Sequence, residues 1–492
     1  MNLIKTCILY GFLLCIFSGC ENHINTKNQQ PNILLIIVDQ LSAEVMGNSG
    51  CSWVKTPAMD QLATDGVKFI NAYTSFPLCS PTRASFLTGQ YPFKSYDQVT
   101  RYKSLGTILK DKGYQTEYIG KWHVGNTRIV KNKEVLEWSG FDNYQNGDDG
   151  LLENQTIEFL KRNHEYPFFL IASFMNPHDC CELARKIGGW ETRNTFEKGK
   201  CTPDFVVPDN KNIPYPSSLV DPNILPEVME NQKPLPGKNY VSIRPTGSWS
   251  SEDWKTYRYG YSQLVQCVDN RIGNILKTLK DQQLDDNTVV IFTSDHGDGI
   301  GEHGWNQKLA FYDEIIRVPF IIKAPGGVKG KLCDGLVNVG IDLLPTVLDY
   351  AGIEDESYPG ESLKAPTTDL DKTTARKYLV SELDLSLQGL GTDEVPEGAD
   401  LDRLLKYESA KARMITDGRY KYIAYNMGKN PEILFDLQAD PNETKNLIHQ
   451  NNNRAELNRL KLKLKEYLLK VGDDFHEIES TRRNKAYIPN LH

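Results

Sequence analysis

Asn32-Ile33-Leu34-Leu35-Ile36-Ile37-Val38 is an unbroken apolar run, rich in β-branched residues, that stops at Asp39-Gln40. A strand with no polar face has to be buried on both sides, as in the parallel sheets of layered α/β proteins. Three further runs repeat the pattern. Residues 167–174 run into Asn176-Pro177-His178, residues 287–293 into Ser294-Asp295-His296-Gly297, and residues 116–119 into Gly120-Lys121-Trp122-His123. Helical periodicity lies between them, at 57–64, 104–112, 151–162, 254–279 and 341–350. Strands alternating with helices predict an α/β fold. In open α/β sheets ligands sit at the carboxyl ends of the strands. Four apolar runs that each end in polar, ionisable residues therefore predict one shared site.

Beyond Gly352 the pattern changes. Residues 376–382, 412–425 and 432–437 read as strands, and 454–469 as an amphipathic, basic helix. Strands followed by a helix predict a smaller α+β unit packed on the first. Between Pro203 and Pro245 nine prolines fall in 43 residues. That density is incompatible with long helices or central strands. It predicts an extended excursion, either a substrate-facing loop or an inert connector.

The chain has 492 residues, 39% apolar and 24% charged, an ordinary composition for a packed globular protein. Lys and Arg number 56 against 64 Asp and Glu, a net charge of −8. This argues against nucleic acid or anionic lipid as a partner; an anionic substrate would need positive charge concentrated in one pocket. Outside the N-terminus no apolar run is long enough to span a bilayer. Residues 1–20 read as a secretory signal: Lys5, an apolar stretch at 8–17, then Ser18-Gly19-Cys20. Small residues before a Cys predict a bacterial lipoprotein, lipidated on Cys20, with 21–30 as a tether; a plain signal peptide with an incidental Cys is the alternative. The expected location is the periplasm or the outer-membrane surface, with membrane contact only through that lipid. Ten cysteines less Cys7, Cys15 and Cys20 leave seven. Export permits disulfides, and an odd number leaves at least one Cys unpaired. Cys180 or Cys181 with Cys201 is one pairing the sequence permits.

The sharpest chemical signal is Cys79-Ser80-Pro81-Thr82-Arg83-Ala84-Ser85-Phe86-Leu87-Thr88-Gly89. Pro81 suits the first turn of a helix. Helix starts present free N–H groups and partial positive charge. Arg83 lies one turn further on and is expected to face the same anion, with the Cys79 sulfur at the tip.

This segment resembles the signature of the type I sulfatases, Cys-x-Pro-x-Arg followed by Thr-Gly, at Cys79, Pro81, Arg83, Thr88 and Gly89. Other blocks similar to that family occur in order from about residue 31 to 450. They include Pro31 to Gln40, Thr56 to Ala63, Gly113 to Gly125, Thr293 to Gly297, Lys308, and Leu434 to Glu443. The resemblance implies an alkaline-phosphatase-like α/β fold, a large mixed sheet flanked by helices, with a catalytic domain at 31–355 and a C-terminal subdomain and tail at 356–492.

It also implies hydrolysis of a sulfate ester on a polysaccharide or oligosaccharide. Cys79 would be oxidised to formylglycine by a formylglycine-generating or anaerobic sulfatase-maturing enzyme. A hydrated aldehyde offers two hydroxyls, one to attack sulfur and one through which sulfate is expelled; a serine would stay trapped as its ester. The implied metal ligands are Asp39, Gln40, Asp295 and His296, holding Ca²⁺ in preference to Mg²⁺. Arg83, Lys121 and Lys308 would hold the sulfate oxygens, His123 would take the proton of the second hydroxyl, and His178 would protonate the leaving alcohol. Glu302 and His303 read either as pocket lining or as a solvated turn. Asp179-Cys180-Cys181-Glu182 departs from the family pattern. A phosphatase or phosphodiesterase of the same superfamily, or a lipoprotein that only binds glycans, are the competing readings; the first favours Ser or Thr at the nucleophile position.

Overall fold

The computed structural model describes residues 30–125, 133–189, 249–388 and 409–475, with Cys201, 207–208, 212–216 and Met229 between them. The leader, almost all of the tether, most of the proline-rich stretch and the residues after 475 lie outside the described residues.

Eight strands form the main sheet. They are β1 (Asn32–Asp39), β2 (Val67–Tyr73), β3 (Gln115–Gly120), β4 (Asn143–Gln145), β5 (Phe168–Pro177), β6 (Thr288–Ser294), β7 (Phe320–Lys323) and β8 (Lys331–Asn338), in the order β4-β3-β5-β1-β6-β7-β2-β8. All pair in parallel except β7, which runs antiparallel to β6 and β2. β1 lies at the centre, and all eight of its residues are buried. Ile33, Leu35 and Ile37 enter one apolar layer, whereas Leu34, Ile36 and Val38 enter the other. The two-faced apolar run is thus the middle of a three-layer sandwich. The long Ser251–Asp281 helix covers one face. Its start is fixed by a reciprocal cap, in which Ser250 Oγ accepts from Asp253 N and the Asp253 carboxylate accepts from Ser250 N.

A second, antiparallel sheet follows: β9 (Leu379–Asp384), β10 (Lys411–Thr416), β11 (Tyr420–Tyr425) and β12 (Glu432–Asp436), in the order β12-β11-β10-β9. Its side chains alternate between two partners. Leu383, Ala412, Met414, Ile423 and Phe435 pack toward the main domain, in the same apolar cluster as Cys79. Val380, Ile415, Tyr422 and Leu434 pack on Leu460, Leu464 and Leu468 of the Arg454–Val471 helix.

Two expectations need correction. Residues 412–425 are not one strand but a hairpin, turned at Asp417-Gly418-Arg419, where Gly418 takes the left-handed conformation at φ +90°. Cys201 pairs with Cys267 rather than with Cys180 or Cys181, both of which are free thiols. Cys267 sits on the Ser251–Asp281 helix, so the bridge ties the start of the proline-rich stretch to the main core. Among the described residues no helix is long and apolar enough to cross a membrane.

Candidate active site

Four neighbouring strands, β3-β5-β1-β6, deliver their ends to one place. Asp39 closes β1 and Asp295 follows β6; Val38 and Ser294, the residues just before them, are register partners. Lys121 follows β3 and His178 follows β5. The turn at Lys121 requires Gly120, whose φ is +101° and where a Cβ would lie 2.1 Å from Ser173 O. That close approach lets Lys121 N donate to Ser173 O at 2.8 Å.

Cys79 is the first residue of the Cys79–Thr88 helix, as Ser-Pro at its second and third positions led one to expect. Its sulfur lies 3.3 Å from His123 Nδ1 and 3.8 Å from Lys308 Nζ. Burial pushes the thiol up, but Lys308, His123 and Lys121 outweigh burial and hold it well below its ordinary value.

Asp39, Cys79, Asp295 and His296 bring their donor atoms within 4.8 Å of one another, all buried. Burial and Asp39 raise the carboxyl of Asp295. Asp39 also feels burial, but Lys121, at 2.6 Å, together with His178 and Arg83 keeps it well below the carboxylate range. Gln40 joins them through its N–H, which donates to Asp295 Oδ1 at 3.1 Å. His296 Nδ1 lies 2.8 Å from Gly297 O and can only donate there, so Nε2 is the nitrogen left for a ligand once the ring is neutral. Burial works against the charged ring, but Asp295 and Cys79 raise it above its ordinary value, a bias that a cation at Nε2 would reverse. Asp39 Oδ1, Gln40 Oε1 and His296 Nε2 are buried without a hydrogen-bond partner. Unmatched acceptors on three residues, with two carboxylates among the donors, fit a hard divalent cation.

Arg83 departs from its expected position. Its side chain is 1% exposed, and every nitrogen is engaged within the protein. Nε reaches Asp295 Oδ2 at 2.7 Å, Nη2 reaches Asp39 Oδ2 at 3.1 Å, and Nη1 reaches Ser173 Oγ and Lys121 O. Arg83 therefore braces the two carboxylates from behind rather than facing an anion. The reason is the helix start: one turn from Cys79 points into the sheet ends, not into solvent.

His178 is half-buried. Burial, then Lys121 and Lys308, holds its imidazole well below the usual range. An anion bound between those two lysines would cancel their share of that depression and make the ring easier to protonate. Glu302 and His303 form a turn, Glu302–Gly304, after Gly301. Glu302 pairs with Arg258, and His303 stacks on Tyr312 at 3.7 Å. Two residues of the site carry no sequence signal of their own: Ser173, inside an apolar strand, and Asp298, three residues past Asp295.

The family model described as Sulfatase matches residues 31–353. A Delta 4,5-hexuronate-2-O-sulfatase of Bacteroides thetaiotaomicron is 28% identical over 474 residues, covering 92% of this chain and 91% of the relative. An ulvan-active sulfatase of Formosa agariphila is 29% identical, covering 96% and 88%. A solved 2-O GAG sulfatase superposes with a TM-score of 0.73 at 26% identity, covering 91% of this chain and 94% of the other.

Proposed function

The chain belongs to the sulfatase family, and from that premise we propose that it removes sulfate from a sulfated saccharide at the site built around Cys79. It is a sulfuric ester hydrolase. The observation that carries the finer reading is the meeting of Cys79, His123 and Lys308 with a buried group of unmatched oxygen and nitrogen donors.

In this reading Cys79 is converted to formylglycine by a maturing enzyme, and the hydrated aldehyde supplies one hydroxyl to attack sulfur and a second through which sulfate leaves. Asp39, Gln40, Asp295 and His296 would hold the cation, Ca²⁺ ahead of Mg²⁺, which lowers the nucleophile's pKa and offsets charge on the sulfate. Lys121 and Lys308 bind the sulfate oxygens. Arg83 keeps Asp39 and Asp295 apart and oriented. His123, beside position 79, accepts the proton of the second hydroxyl. His178 gives its proton to the departing sugar oxygen. A 2-O-sulfated, uronate-containing saccharide is the first substrate class to try, since a relative named for that chemistry matches over nearly its whole length. The N-terminal pattern supports a lipid anchor on Cys20, at the periplasmic or outer-membrane surface of a bacterium.

Mass spectrometry of active, matured protein tests the reading. The peptide holding residue 79 is expected about 18 Da lighter than its cysteine form. Full activity in a preparation whose Cys79 is wholly unconverted would overturn it.

A further inference from the structure

Gln40 is fully buried and left-handed, with φ +69°, a conformation that a non-glycine residue holds only when its surroundings fix it. Its backbone is clamped on both sides. Gln40 N donates to Asp295 Oδ1, and Gln40 O accepts from Tyr261 OH at 2.7 Å. Its side chain is clamped by Asp298, also fully buried. Gln40 Nε2 donates to Asp298 Oδ2 at 2.7 Å. The same oxygen accepts from Tyr257 OH at 2.9 Å and Gln307 N at 3.1 Å, while Oδ1 accepts from Ile300 N at 2.7 Å. Tyr257 and Tyr261 stand one turn apart on the Ser251–Asp281 helix, so one helix face secures both ends of the arrangement.

A carboxamide has a donor end and an acceptor end, and the two are distinguished by their partners. Asp298 accepts only, so the nitrogen must face it. The oxygen is then forced to the opposite side of the fork, where Gln40 Oε1 has no hydrogen-bond partner.

We propose that Asp298 is a positioning residue, which orients the Gln40 carboxamide so that its oxygen is presented to the cation held with Asp39, Asp295 and His296. The proposal rests on the cation site of the preceding subsection. Its consequence is a reversal of the ordinary charge rule. An added carboxylate usually tightens calcium binding. At position 40 it has no N–H to give Asp298, so Gln40→Glu puts acceptor against acceptor and loses the orientation. Alanine at 298 removes the opposing acceptor, so that a glutamate at 40 is no longer repelled and becomes a good ligand.

Calcium titration of the purified, metal-stripped full chain by calorimetry tests this, with folding checked by circular dichroism. Asp298→Ala is expected to weaken calcium affinity about 10–100-fold, as removal of outer-shell partners does. Gln40→Glu is expected to weaken it as well. The double variant Gln40→Glu/Asp298→Ala should bind more tightly than either single one, a rescue that a merely structural role would not give. Gln40→Glu that binds calcium more tightly than wild type overturns the proposal, as do losses that simply add. If Asp298→Ala fails to fold, the Gln40→Glu result alone decides. Asp295→Asn separates the two readings. Equal calcium binding by it and wild type defeats the cation site itself. Loss in Asp295→Asn with none in Asp298→Ala defeats only the role of Asp298.

Discussion

Two of the buried charge clusters among the described residues are finished differently. At the carboxyl ends of β1 and β6, Arg83 and Lys121 meet Asp39 and Asp295. At the contact between the two sheets, Lys421 meets Asp313 at 2.5 Å and Glu443 at 2.6 Å and also donates to Phe311 O. In the second cluster every carboxylate oxygen has a partner: Asp313 Oδ2 takes Arg317 Nη1, and Glu443 Oε2 takes Asp313 N. The first leaves Asp39 Oδ1, Gln40 Oε1 and His296 Nε2 unmatched. A closed ion cluster holds elements in place, and its worth is realised on folding. An open one carries a cost in the folded chain that only a ligand can offset. Both are buried, so it is satisfaction of the acceptor atoms that separates structure from chemistry here.

At the open cluster, His178→Ala should cost about 10²–10⁴-fold on a sugar sulfate, whose alkoxide leaves poorly, and far less on an activated aryl sulfate. Steady-state kinetics on both substrates reads this, and equal losses would return His178 to a structural role. At the closed cluster, Lys421→Met leaves Asp313 and Glu443 buried without their cation. About 3–5 kcal/mol of stability should go, by the same amount with or without calcium. Asp295→Asn should behave in the opposite way. Calcium at about 100 times its Kd should add roughly 2.7 kcal/mol to wild type and next to nothing to the variant, as followed by denaturant unfolding.

The smallest effect concerns a third way to keep a carboxyl buried, by protonation. Glu382 on β9 accepts from Phe93 N at 2.9 Å, and burial raises it from 4.5 to about 8. The folded chain then holds a proton that the unfolded chain lacks between those values. Stability from this group is therefore full below about pH 4.5 and declines as pH rises to about 8. Glu382→Gln should flatten that decline, gaining on wild type by on the order of 1 kcal/mol between about pH 6.5 and 7.5. Parallel pH profiles of the two proteins would refute it.

What the sequence made legible follows from what each element buries. β1, β5 and β6 are continuous apolar runs because both faces are covered, and their polar endings marked the site. β2 and β8 alternate with polar residues, and β7 is four residues long, so neither run length nor periodicity set them apart. The hairpin at 411–425 was hidden because its turn is only Asp417-Gly418-Arg419. Cys79, Lys121, His123 and Lys308 do converge; the first three stand at a helix start and just past a strand end, whereas Lys308 lies in a loop and was indicated only by the family resemblance. The true station of Arg83 depends on how far the helix tip sinks into the sheet, and that of Asp298 on a tyrosine pair from a distant helix. Neither is written in local pattern.

Release of inorganic sulfate tests the central claim most directly. Wild type matured in the presence of a formylglycine-generating enzyme, and Cys79→Ala made in the same way, would be incubated with defined sulfated saccharides, beginning with a 2-O-sulfated uronate disaccharide. Free sulfate would be read by ion chromatography. The account predicts multiple turnovers by wild type and none by Cys79→Ala, which should retain the wild-type fold. Undiminished turnover by Cys79→Ala would contradict it.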